Sequence, residues 1–186
     1  MDPTTAVRTD TLPAVATLIA PGALAGGAYV WFGISTVPSA GAFLEAHETF
    51  TTVLSILLLI VIGMIVESLG SYVEVFIDRR RPDHKKMIKT WWKYLRLAWT
   101  HEPIGQRYLR RLLVSFKFEL NMCTAALLAI PGVLLLGYRS YISLHTFFWL
   151  LLVLAVSATV FFLAAKDSAD VLAKVRTELT KGVLQK

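Results

Sequence analysis

Two acidic residues, Glu67 and Glu74, stand seven positions apart inside a strongly apolar stretch of this 186-residue chain. Seven positions on an α-helix correspond to about 700° of rotation, so the two carboxylates lie within roughly 20° of each other on one face. Ser71 lies between them. An ionisable side chain inside hydrocarbon costs about 2.5–3.5 kcal/mol on insertion scales, so such groups normally turn inward and carry a function. The pattern predicts a polar seam.

A later apolar segment supplies the second side of this seam, with Lys117 and Asn121 four positions apart and Glu119 on an adjoining stripe. If the two segments are antiparallel neighbours, Glu67 reaches the depth of Lys117 and Glu119. Three interpretations follow: buried pairs that hold helices in register, a polar pathway in an oligomer, or a general base acting on lipid. The first is favoured because paired carboxylates have a simple structural explanation.

Metal and nucleophile chemistry find little support in the sequence. His47, His84 and His101 are scattered, with no H-x-x-x-H or H-x-x-E-H spacing. No G-x-S-x-G, Walker or dinucleotide sequence occurs. Cys123 is the single cysteine and excludes an intramolecular disulfide. We therefore expect a non-enzymatic protein with no metal and no cofactor.

The elements that carry these residues are apolar blocks of membrane-spanning length. The chain is 55% hydrophobic, above the usual 45–50% or so of soluble domains. A helix needs about 20 residues to cross about 30 Å of hydrocarbon. We predict spans at 11–34, 49–77, 107–136 and 145–165, a linker at 35–48, a loop at 78–106 and a helical tail at 166–186. The expected fold is all-α: a polytopic four-helix transmembrane bundle forming one membrane domain over 1–186.

Gly22 and Gly26 form a G-x-x-x-G spacing in the first span. Small residues let helices approach closely in lipid, where the hydrophobic driving force between helices is missing. We interpret this face as a packing surface within the bundle, with a homodimer seam as the alternative.

Basic residues set the expected orientation. Twelve of the nineteen Lys and Arg residues fall within 78–117, and five more lie in the tail. Loops rich in Lys and Arg stay in the cytoplasm. We expect both termini in the cytoplasm, with the protein in a bacterial inner (cytoplasmic) membrane.

The loop itself reads as a basic amphipathic helix with aromatic anchors, a pattern that lies flat among anionic headgroups. Nucleic-acid binding is the competing interpretation, and it is disfavoured because a helix beside a membrane meets lipid first. The predicted basic and aromatic platform comprises Arg79, Arg80, Arg81, Lys85, Lys86, Lys89, Trp91, Trp92, Lys93, Arg96, Trp99, Arg107, Arg110 and Arg111.

Two functional hypotheses follow, and a lipid-acting intramembrane enzyme ranks below both. In the first, the chain self-associates as a homo-oligomer whose polar seam forms a gated pore or channel. Its support includes an apolar stripe of the tail, containing Val171, Leu172 and Val175, that needs a partner. In the second, the chain is a membrane anchor or sensor subunit that recruits a soluble cytoplasmic protein, as in bacterial stress or phage-defence systems.

Overall fold

A computed structural model describes residues 3–80, 85, 88, 89, 92 and 104–184, and the side chains of 17–37, 39–80, 85, 88, 89, 92 and 108–178. The helices are α1 (Pro3–Thr36), α2 (Pro38–Ala46), α3 (Glu48–Arg79), α4 (Ile104–Tyr138) and α5 (Leu144–Leu184). Strands are absent from these described ranges, so the all-α class is confirmed. Four of the helices are long and apolar enough to cross a membrane.

Among the described helices, α4 lies at the centre and packs directly against α1, α3 and α5. Half of its most apolar stretch is buried, compared with 11% for α3 and for α5. Buried positions of α4 are mostly small, including Ala125, Ala126 and Ala129. Small side chains let three neighbours approach one helix, which explains why α4 is central.

In the described part of the chain, the core consists of three clusters, one at each end of the bundle and one between them, where Ala25, Val66 and Ala125 join α1, α3 and α4. We call the end where α3 ends, α4 begins and α5 ends the basic end; there Phe116 and Leu120 of α4 pack with Leu172 of α5, and with Val73 and Ile77 of α3. At the opposite end, which we call the turn end, α1 replaces α3 beside the α4–α5 pair.

Helices α1 and α3 cross in close contact at two glycines, Gly22 of α1 and Gly63 of α3. A Cβ atom at Gly22 would overlap the carbonyl oxygen of Leu59, and one at Gly63 would overlap that of Leu18. The two backbones are therefore in direct contact, which only residues without a side chain permit.

The short helix α2 was not predicted, because the sequence indicated a linker at 35–48. Val37 is extended at the N-cap, and Pro38 occupies the first helical turn. Proline at this position is already set for helix and loses no hydrogen bond. The nine residues are too few for a periodicity signal.

The turn between α4 and α5 is a Schellman motif. The Tyr141 amide donates to the Leu136 carbonyl and the Ser140 amide to the Gly137 carbonyl, which is the 6→1 and 5→2 pair of this motif. Ser140 has a φ of 56°, a left-handed conformation that favours glycine. The Ser143 hydroxyl then accepts the Thr146 amide and caps α5.

Replacing Ser140 with Gly is expected to stabilise the protein by about 0.5–1 kcal/mol, because it removes the Cβ penalty in the left-handed region. For a domain of this size, that raises the Tm by roughly 1–4 °C. Thermal unfolding in detergent micelles measures the shift, and a lower Tm would contradict this account of the turn.

The exposed surface of the bundle carries an apolar band. On α3 its large apolar side chains run from Phe50 to Phe76, and on α5 from Leu144 to Leu163. Exposed hydroxyls within it donate to their own helix: Thr52 to Glu48, Ser68 to Met64 and Thr159 to Ala155. A hydroxyl bonded in this way needs no partner from the surroundings.

Charged or titratable residues mark both edges of the band at matching distances. At 1.5 Å per residue, Lys117 of α4 and Arg139, the residue just after that helix, are about 33 Å apart, and His145 and Lys166 of α5 about 32 Å. Each interval is close to one hydrocarbon thickness of about 30 Å. Helix α5 is 41 residues long, about 60 Å, so roughly half of it extends beyond the band.

Candidate functional site

Glu67 and Lys117 form an ion pair between α3 and α4. The Lys117 Nζ lies 3.6 Å from the Glu67 Oε1, and each side chain is 40% exposed. The pair is thus at the rim of the α3–α4 contact. An ion pair with this exposure contributes modestly to stability, because water or headgroups compete for both charges.

Glu74 lies two helical turns closer to the basic end than Glu67, in a charged cluster formed by residues of three helices. The positive charges of Lys117 on α4 and Arg176 on α5 act on the Glu74 carboxylate, together with the negative charge of Asp78. We call Glu74, Asp78, Lys117 and Arg176 the charged cluster. Opposite charges on neighbouring helices favour this arrangement of the three helices.

Asn121 packs against the backbone of α3. Its side chain is 3% exposed, and a Cβ atom at Gly70 would be 2.5 Å from its Oδ1. Gly70 therefore belongs to a packing contact. Since α3 and α4 are antiparallel, the contact of Gly70 with Asn121 places Glu74, one turn later on α3, level with Lys117, one turn earlier on α4.

Ser71 and Glu119 are not brought into this contact. Ser71 is exposed, and its hydroxyl donates to the Glu67 carbonyl of its own helix. Glu119 is half-buried, and within the described residues its Oε2 has no hydrogen-bond partner. Its chain neighbours Phe118 and Leu120 pack toward α5. The six predicted seam residues therefore do not form one contact: Glu67 and Lys117 pair at the α3–α4 rim, Asn121 is buried, Glu74 and Glu119 are half-buried, and Ser71 is exposed.

The ion pair crosses the edge of the apolar band. Lys117 is level with Glu74, beside Val75 and Phe76, the last exposed large apolar residues of α3, and Glu67 lies about 10 Å nearer the centre of the band at 1.5 Å per residue. A polar pathway would require polar side chains along the whole band. Such groups are concentrated here at one edge.

A double-mutant cycle measures the strength of the ion pair. Glu67→Gln and Lys117→Gln are each expected to lower the free energy of unfolding slightly, with a coupling of about 0.5–1 kcal/mol. Equilibrium unfolding in bicelles gives the four values. A coupling of 3 kcal/mol or more would show a fully desolvated pair and contradict the placement at the band edge.

The predicted platform is described only in part. Arg79, Arg80, Lys85, Lys89, Trp92, Arg110 and Arg111 are exposed. Arg81, Lys86, Trp91, Lys93, Arg96 and Trp99 lie outside the described residues, as does the side chain of Arg107. The guanidinium of Arg80 stacks over the Phe76 ring, 4.1 Å from its centroid, a favourable cation–π contact.

The glycine face of α1 and the apolar stripe of the tail, both predicted to support self-association, make contacts within the chain. Gly22 contacts the α3 backbone, and a Cβ atom at Gly26 would meet the Ile62 side chain. The tail stripe is also covered in part, since Leu172 is 3% exposed against α4, although Val171 is 39% exposed.

Arg176 is the residue that sequence reasoning missed. It lies four positions after Leu172 and seven after Ala169, both of which are buried. Residues at these spacings share one face of a helix. The apolar residues of the tail therefore indicated that Arg176 lies on the face that packs against the bundle.

Comparisons with the models of known protein families, with curated proteins and with solved structures found no match.

Proposed function

We propose that this chain is a non-enzymatic, multi-pass protein of the cytoplasmic membrane whose basic end projects into the cytoplasm and recruits a soluble protein. The proposal rests on the length of the helices beyond the apolar band. At 1.5 Å per residue, α4 begins about 20 Å before Lys117, α5 extends about 27 Å past Lys166, and α3 extends about 8 Å past Glu74, which is level with Lys117.

The projecting part has the construction of a water-exposed helical bundle. Leu172, together with the partly buried Leu109 and Leu112, supplies an apolar core, while Arg110, Lys174 and Glu178 are exposed on its outside. Crossing a bilayer does not require this part. Its fixed, charged surface suits it to present groups to a soluble partner.

The orientation follows from charge. The basic residues within 78–117 belong to this end, and such segments stay in the cytoplasm. Lys117 and Lys166, at the band edge, are then at the depth of anionic headgroups, where each contributes about 1 kcal/mol. This supports lipid contact at the edge and a soluble partner beyond it.

Self-association is a weaker candidate for this chain. Its glycine face and part of its tail stripe are occupied by intrachain contacts. Glu67, which the pore and the general-base hypotheses both require, is engaged by Lys117. We therefore place partner recruitment first.

Photo-crosslinking in intact cells tests the choice. A photoreactive amino acid replaces Tyr108, which is 52% exposed at the basic end, or Phe148, which is 60% exposed in the apolar band. We expect a soluble protein to be captured from position 108 and not from position 148. Capture of only a second copy of the chain, from either position, would support self-association and overturn the proposal.

A further inference from the structure

The outer side of the last turns of α3 carries aromatic and cationic side chains. Tyr72 is 75% exposed and Phe76 is 54% exposed, and Arg79 and Arg80, at the end of the helix, are also exposed. Arg80 keeps helical backbone angles, with φ −78° and ψ −8°. At about 100° per residue, the four residues therefore fall within roughly 100° of one another around the helix axis. We call these four residues the α3 outer face.

The carboxylates of the same turns point to the other side of α3. Glu74 and Asp78 are half-buried, and Glu74 is acted on by the charges of Lys117 and Arg176 on the neighbouring helices. Helical rotation places both carboxylates at least about 100° away from every residue of the α3 outer face. The guanidinium groups of that face are therefore not neutralised by the carboxylates of their own helix.

The contact between α3 and α4 sets the depth of this face. Glu74 is level with Lys117, and at 1.5 Å per residue Phe76 and Arg79 follow about 3 and 8 Å further out. Side chains on a helix lean toward its N-terminus, which for α3 is the direction of the apolar band. The guanidinium of Arg80 shows this lean, since it stacks over the Phe76 ring, 4.1 Å from the centroid.

This charge has the depth of a lipid headgroup. With Lys117 at the edge of the hydrocarbon, as in the proposed function, the Phe76 level falls inside a headgroup layer about 5–7 Å thick. Tyrosine at this depth is typical of the membrane interface, where its ring meets hydrocarbon and its hydroxyl meets polar groups. Tyr72 lies just inside the level of Lys117, about one turn before Phe76.

An apolar stripe leads along α3 to the outer face. Leu58, Val61, Ile65 and Leu69 are exposed and occupy the same sector of the helix as Tyr72. From Leu58 to Tyr72 the stripe is about 21 Å long, more than the roughly 15 Å of hydrocarbon in one leaflet. It is long enough to accompany an acyl chain through that leaflet.

The surface of α5 at the same edge of the band has mixed charge. Asp167 and Asp170 are exposed there beside Lys166. Carboxylates repel an anionic headgroup, so at this depth an anionic lipid is attracted more strongly to the α3 outer face.

We infer that the α3 outer face binds an anionic phospholipid of the cytoplasmic leaflet. Arg79 and Arg80 pair with its phosphate, because guanidinium groups match phosphate oxygens in a fixed geometry. The Tyr72 hydroxyl donates to a phosphate or ester oxygen, and one acyl chain lies along the apolar stripe. The inference rests on the membrane placement in the proposed function and adds a lipid site to it.

Native mass spectrometry of the full chain in a neutral detergent tests this site. Phosphatidylglycerol and phosphatidylcholine with identical acyl chains are the probes. We expect the first phosphatidylglycerol to bind about fivefold more tightly, or better, than the first phosphatidylcholine. Arg79→Gln/Arg80→Gln should remove that preference and leave the affinity for phosphatidylcholine within twofold. Equal affinity of the unaltered chain for the two lipids would overturn the inference.

The matched control is Arg111→Gln/Lys174→Gln, which also removes two positive charges, from exposed positions of α4 and α5. It is expected to change the affinity for phosphatidylglycerol less than twofold. A loss as large as that of Arg79→Gln/Arg80→Gln would show a response to net charge alone, and the site on α3 would be wrong.

Two further measurements separate the lipid from other ligands. Glycerol phosphate, which has the phosphate but no acyl chains, is expected not to displace the bound lipid at millimolar concentration. Displacement would assign the face to a soluble phosphate compound. A photoreactive amino acid at position 72 is expected to capture phospholipid in intact cells, and capture of a soluble protein there would contradict the inference.

The proposed function is judged by separate results. Flotation with liposomes reports membrane insertion, and crosslinking from position 108 reports recruitment of a soluble protein. If the chain floats and position 108 captures a soluble protein, equal affinity for the two lipids refutes the lipid site alone. A chain that does not float with liposomes refutes the membrane placement on which both proposals rest.

Discussion

Gly22→Val is expected to destabilise the protein by about 3 kcal/mol, the upper range for inserting side-chain atoms into a packed interface. A Cβ atom at this position would overlap the carbonyl oxygen of Leu59 and lie 3.0 Å from the Gly63 nitrogen. Backbone atoms cannot rotate away as a side chain can, so α1 and α3 must separate. For a chain of this length, the Tm should fall by roughly 6–12 °C, as measured by thermal unfolding in detergent micelles.

The control is Gly27→Val on the same helix, since a Cβ atom at Gly27 meets nothing within 4 Å. Both substitutions add the same β-branched side chain, so any cost to the helix itself is shared. Gly27→Val should change the Tm by no more than a few degrees. Equal losses at the two positions would mean that the α1–α3 crossing is not the close contact described.

Leu57→Arg is expected to reduce the stability of the inserted protein by about 2.5–3.5 kcal/mol, roughly a hundredfold in population. Leu57 is 55% exposed in the middle of the apolar band on α3. In water, arginine at an exposed position would cost at most about 0.5 kcal/mol. The large loss arises only if hydrocarbon surrounds the band, and reversible unfolding in bicelles measures it.

Val171→Arg provides the comparison, because Val171 is exposed on α5 beyond Lys166. We expect a change of about 0.5 kcal/mol or less there. Similar tolerance of arginine at 57 and at 171 would show that the band does not face lipid, and the proposed membrane role would fail with it.

Hydropathy predicts the long helices, but the sequence predicts only part of how they pack against one another. The predicted span 49–77 corresponds to α3 at Glu48–Arg79, and 107–136 to α4 at Ile104–Tyr138, because long apolar runs ended by charges leave little freedom. The α2 helix has no such run. The facing of Gly22 toward α3, instead of toward a second copy, depends on Gly63 lying opposite, which no local pattern specifies.

The candidate site, too, is predictable from the sequence only in part. Helical geometry places Glu67 and Glu74 on one face, and antiparallel helices place Glu67 beside Lys117. Their position at the edge of the apolar band depends on where the exposed surface changes from apolar to charged on several helices at once. That is a property of the assembled bundle, as is the approach of Arg176 to Glu74.

The central claim is that the apolar band lies in the membrane and that the basic end stands outside it. Seven exposed positions of α5 extend from the apolar band into the basic end: 152, 156, 160, 163, 167, 170 and 174. Each can carry a spin label in a Cys123→Ala background, since Cys123 is the single cysteine. Collision rates with oxygen and with a water-soluble nickel complex, measured by electron paramagnetic resonance in liposomes, report the depth of each label. We predict oxygen-dominated collisions through 163 and nickel-dominated collisions from 167 onward; a uniform profile, or a change of environment one or more turns away from Lys166, would contradict the account.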